Sequence, residues 1–122
     1  MTLLGVAIAG LVGAPARYVL DAVISQRTRG VFPWGTLVVN VSGSLVLGFL
    51  SGLALYHGFP TTAKTVLGTG FLGAYTTFST FAYETLAVGR EESRVAALAY
   101  VTGSVVAGVA AAAAGLALAA AL

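Results

Sequence analysis

Polar and charged residues in this chain are gathered into a few short clusters, and their spacing constrains the fold more than any motif does. Between them lie four apolar stretches, from about Leu3 to Ser25, Gly35 to Tyr56, Ala63 to Val88 and Val95 to Leu122. Each reaches the ~20 residues that a helix needs to cross the hydrocarbon core of a bilayer. The joints are Gln26-Arg27-Thr28-Arg29-Gly30 ahead of Pro33-Trp34, then His57 to Thr62, then Arg90-Glu91-Glu92-Ser93-Arg94. Only 8% of the 122 residues are charged, against roughly 25% in soluble domains. The expected fold is an all-α membrane protein. It forms a single domain over residues 1–122, with four transmembrane helices and both termini on one side.

Sixteen glycines are scattered among Leu, Val and Ala, where they let membrane helices approach closely. Trp34 suits the headgroup level. The pI of about 9.3 reflects a small cationic excess at the ends of the spans, which excludes a nucleic-acid-binding surface. With no cysteine in the chain, disulfides and thiolate metal sites are excluded. A cleaved signal peptide is not expected, because the N-terminus lacks a basic leader. Arg27, Arg29, Arg90 and Arg94 share one side of the membrane and Lys64 lies on the other, which favours termini outside.

The third stretch is not a plain anchor. Gly70-Phe71-Leu72-Gly73-Ala74-Tyr75 is followed by Thr76-Thr77-Phe78-Ser79-Thr80-Phe81, with four hydroxyls and two phenylalanines in six residues. In lipid, backbone loosened by such a run must be buried in protein or line an ion path. The third helix is therefore expected to break near the bilayer midplane, and the first functional expectation is ion conduction.

Several other residues have both a structural and a functional reading. Asn40, set among valines, either bonds to another helix or donates to an anion. Ser44, Gly48 and Gly52 form a small-residue stripe for helix packing. Phe78 and Phe81 are spaced to share a helix face with Glu84; such pairs usually pack, yet their positive ring edges can also hold a small anion. Arg17 is placed to pair with Asp21 at i+4 or to make an electropositive vestibule. Tyr100, Ser104 and Gly108 fall on one face of the fourth helix, with the hydroxyls continuing a polar path or bonding within the helix. Enzyme readings fail. His57 is the only histidine, no cluster has metal-ligand spacing, no serine has a base partner, and no phosphate loop is present.

Taken together, three blocks of sequence resemble the Fluc/CrcB family of small fluoride channels. They are Gly10-Leu11-Val12-Gly13-Ala14-Pro15-Ala16-Arg17-Tyr18, Pro33-Trp34-Gly35-Thr36-Leu37-Val38-Val39-Asn40-Val41-Ser42-Gly43, and the Gly70 to Phe81 block with Glu84. The resemblance implies passive, fluoride-selective export across the plasma (inner) membrane of a prokaryote, through two pores of an antiparallel, dual-topology homodimer. It implies that Phe78 and Phe81 contact fluoride by their ring edges beside the Asn40 amide. It also implies that Gly73 and Thr76 offer backbone carbonyls to a central structural Na⁺. Arg17 would belong to the vestibule, and Ser79, Thr80, Glu84, Tyr100 and Ser104 to a polar track that Gly108 interrupts. The four-to-one charge bias is larger than dual topology calls for, and a heteromeric partner of opposite orientation is the alternative. A small four-helix proton-coupled exporter and a non-conducting membrane subunit are the competing functions; the first needs a deeply embedded carboxylate, and the second leaves the hydroxyl-rich break unexplained.

Overall fold

The computed structural model describes residues 1–122, and its regular structure is entirely helical. Helix α1 (Thr2–Arg27) and α2 (Trp34–Tyr56) precede α3 (Thr61–Thr65), a π-helical segment (Val66–Leu72), α4 (Gly73–Tyr75), α5 (Ser79–Glu91) and α6 (Arg94–Ala121). Three helices, α1, α2 and α6, are long and apolar enough to cross a membrane. The third expected span is instead assembled from pieces over residues 61–91, with extended backbone at Thr76 (φ −80°, ψ 161°).

The termini of these elements follow from local chemistry. Pro60 ends the loop before α3 with ψ near 131° and then yields to helix at Thr61. Ser93 caps α6, its hydroxyl accepting from the Ala96 amide at 3.0 Å, a bond typically worth about 1 kcal/mol. Gly30 and Gly58 take positive φ in the two loops, a conformation in which only glycine is unstrained. Pro15 lies inside α1, which nonetheless runs through it as one helix.

Packing relies on small residues. Helix α2 lies along α6, with Gly48 facing the Ala112 backbone, so that a side chain there would meet its carbonyl carbon at 2.8 Å. Gly115 returns the contact, its absent side chain leaving room for Phe49 N at 2.7 Å. Gly52 sits over Ala119 and Leu116. On the other flank, Gly13 of α1 abuts the Phe71 backbone, and Gly70 abuts Val6 and Ala9. The π segment is thereby held against α1. Such close backbone approach is how helices associate where lipid removes the hydrophobic drive.

Only 15 of 122 residues are buried, while Leu3, Leu11, Leu55, Leu98, Val109 and many other large apolar side chains are exposed. Water would penalise that surface heavily; a bilayer accommodates it. The chain is a multi-pass membrane protein.

Candidate functional site

The site begins at the interruption between α4 and α5. Thr76 ends α4, its amide and its hydroxyl both donating to Leu72 O at 2.9 and 2.8 Å. One residue later Thr77 starts the next helix, its hydroxyl accepting from the Thr80 amide at 3.2 Å. Thr77 is in effect the N-cap of the following helix. Asn40 of α2 clasps the joint from the side. Its Nδ2 donates to Thr77 O, and its Oδ1 accepts from Thr77 N, both at 2.9 Å. Gly43, one turn further along α2, leaves space for the Thr76 methyl and the Tyr75 ring. The Tyr75 hydroxyl lies 2.9 Å from Ser42 Oγ.

This arrangement satisfies amides and strands carbonyls. In a continuous helix Thr77 N would bond to Gly73 O, and Thr80 N to Thr76 O. Here Asn40 Oδ1 takes the first donor and Thr77 Oγ1 takes the second. The oxygens of Gly73 and Thr76 are thus left without their helical partners at the wall of one cleft. Two more polar groups are unpaired nearby: the hydroxyls of Tyr100 and Ser104 are buried with no hydrogen-bond partner.

The cleft has a volume of about 420 Å³ and is lined by Asn40, Gly73, Thr76, Phe78, Phe81 and Ser104, among others. The rings of Phe78 and Phe81 are 6.0 Å apart and inclined at 48°. Phe78 has helical backbone and its carbonyl accepts from the Ala82 amide at 2.9 Å, so the two rings share one face of the helix that follows the break, with Phe78 79% exposed. Phe81 continues to Tyr100 at 5.2 Å, Tyr100 to Phe32 at 5.3 Å, and Phe32 to Trp34 at 4.5 Å. A line of rings thus leads from the break to the start of α2.

Arg17 and Thr80 meet in a second, smaller cavity of about 170 Å³, together with Asp21, Thr36 and Thr77. Thr77 lines both cavities. Asp21 accepts from Ser25 Oγ at 3.4 Å and packs against Gly35. Glu84 accepts a hydrogen bond from the Thr36 hydroxyl. Ser79 is exposed in the first turn of α5 and lines neither cavity. Sequence reasoning passed over Thr36, Thr77 and Phe32. The signal for Thr77 was readable as a helix-starting threonine; the other two are joined to the site only by tertiary contact.

The family model described as CrcB-like protein, Camphor Resistance (CrcB), matches residues 4–116. The chain is 50% identical over 98 residues to fluoride-specific ion channel FluC 1 of Leifsonia xyli, covering 80% of this chain and 72% of the relative. It is 51% identical over 108 residues to FluC 2 of Mycolicibacterium paratuberculosis, covering 88% and 85%. Against FluC 2 of Cutibacterium acnes the identity is 47% over 119 residues, covering 97% of each chain. With a match over nearly its full length and relatives at this identity, the chain belongs to the CrcB family, an ion-channel family and not an enzyme family.

Proposed function

We propose that the protein is a fluoride channel that lets the ion leave the cytoplasm passively through the inner membrane of a bacterium. The observation that carries the reading is the pair of buried, unpartnered hydroxyls of Tyr100 and Ser104 beside Phe81. A hydroxyl buried without an acceptor costs about 1–3 kcal/mol, so these donors favour a small anion alongside them. The Phe78 and Phe81 rings add positive edges, and the second Nδ2 hydrogen of Asn40 is not used by Thr77. Thr80 and the Thr36–Glu84 pair extend the polar route, with Arg17 in its vestibule attracting anions. Ser79, outside both cavities of the single chain, would join the route only against a second copy. Release requires that no single contact hold the ion tightly, and a file of weak donors meets that condition.

The stranded carbonyls of Gly73 and Thr76 fit a hard monovalent cation such as Na⁺, since unwound backbone at a helix break presents oxygen ligands. One chain supplies two such oxygens, and an antiparallel second copy would supply two more across a shared axis. The ion would fix the break and offset anion repulsion in the two pores. The exposed Phe78 and the open side of the cleft suit burial by that second copy. The interrupted segment 61–91 would complete a set of four spans as the third in chain order, with its break at mid-membrane depth. A heterodimer with an oppositely oriented relative is the second reading, favoured by the arginine bias alone.

The test is efflux from liposomes containing the purified protein, read with a fluoride electrode and with chloride as control. Rapid fluoride release without chloride release is expected, insensitive to a proton gradient. If Phe78→Ile and Asn40→Asp both leave that flux intact, the proposed pore is wrong.

A further inference from the structure

A third cavity, of about 370 Å³, lies away from the break, between α5 and α6. Its walls are apolar along most of their length, from Leu86 on α5 to Leu98 and Val101 on α6. Its floor is the close approach of Gly89 to Ala97, where a side chain at the glycine would sit 3.5 Å from the alanine methyl. Its mouth, at the turn joining the helices, carries Arg90 and Arg94, both exposed. Glu91 and Glu92 share that turn but do not line the groove.

The geometry points to a binding site for one anionic phospholipid, phosphate at the two arginines and an acyl chain in the groove. From Arg94 to Val101 the wall of α6 rises about 10 Å, most of the ~15 Å hydrocarbon depth of one leaflet. The groove thus has the direction and depth of a lipid tail whose headgroup lies at the membrane surface. Guanidinium is a planar donor fork matched to phosphate oxygens, and two of them at one groove mouth select a net negative headgroup over a zwitterionic one. Basic pockets between membrane helices on the cytoplasmic side recognise headgroups in this way. The turn lies on the same side of the chain as Arg27 and Arg29, so an antiparallel pair would present one such groove to each leaflet, including the anionic cytoplasmic one. The inference rests on the chain lying in a bilayer and is independent of which ion it conducts.

Native mass spectrometry tests this on the full-length protein, equilibrated in detergent with equal phosphatidylglycerol and phosphatidylcholine. Wild type should retain phosphatidylglycerol several-fold over phosphatidylcholine. Arg90→Gln/Arg94→Gln should abolish the preference, and Arg27→Gln/Arg29→Gln, which removes the same charge outside the groove, should keep it. Leu98→Trp, which fills the groove and leaves both arginines, should also lose retention. Equal retention of the two lipids by wild type, or equal loss in both arginine pairs, would overturn the site in favour of diffuse surface attraction. Displacement of the lipid by soluble glycerol phosphate at matched concentration would overturn the part assigned to the acyl groove. Fluoride efflux plays no part in these readouts, so the site and the channel reading fail separately.

Discussion

Asn40 and Tyr100 behave in opposite ways, and substitution separates them. Asn40 is a structural clasp, bonded twice to the Thr77 backbone. Asn40→Ala should lower unfolding stability by about 1–2 kcal/mol, two interhelical bonds at roughly 0.6 kcal/mol or somewhat more each. It should also increase hydrogen exchange at the Thr77 amide. The sequence left the Asn40 amide open between clasp and anion donor, because an isolated amide among valines looks the same in either role. The clasp is what the structure adds, and it leaves the second Nδ2 hydrogen unused by Thr77. Tyr100 is 0% exposed and its hydroxyl has no partner. Tyr100→Phe should therefore leave stability unchanged or slightly raised, since it removes an unsatisfied donor. Its cost should fall on function, with fluoride efflux slowed about tenfold or more, the equivalent of one hydrogen bond to a charged acceptor. A stability loss with unchanged efflux would make the hydroxyl part of the fold and not of the pore.

Between elements, packing is decided by where a glycine meets backbone. Gly115 faces Leu45 O and Phe49 N, neither of which can rotate away, whereas Gly103 on the same helix has nothing within 4 Å. Gly115→Val should separate α2 from α6 and destabilise by about 1–3 kcal/mol or more. Gly103→Ala should be neutral or stabilising by roughly 0.5–1 kcal/mol, the cost of glycine inside a helix. Thermal unfolding in detergent of the two variants beside wild type checks the contrast. The stripe Ser44-Gly48-Gly52 was legible in the sequence as a packing face, and α6 occupies it. The shared face of Phe78 and Phe81 was legible too, since Phe78 is helical and its carbonyl accepts from the Ala82 amide. What that face meets was not, because the break that orients it is held by Asn40 from another helix.

For the molecule as a whole, the cation and the orientation of the chain are measurable. Replacing Na⁺ by a bulky organic cation during purification should slow fluoride efflux several-fold and weaken dimers, with recovery on adding Na⁺ back. A Thr28→Cys variant of this cysteine-free chain reports orientation. Labelling from both faces of the membrane is expected for a dual-topology homodimer. Labelling from one face alone would make the partner a second chain. The sequence by itself determined the membrane setting, the all-helical class, three of the spans within about two residues, and the place of the interruption. These follow from properties counted along the chain: apolar length, polar joints, and glycine and hydroxyl content. Part of what the interruption contains was decided only by tertiary structure. Asn40 and Thr77 take the amides that would have continued the helix, and the Gly73 and Thr76 carbonyls are left over. The Thr76 carbonyl is freed by a local threonine cap, but the Gly73 carbonyl is freed because Asn40 arrives from 37 residues away, and no local pattern encodes that arrival.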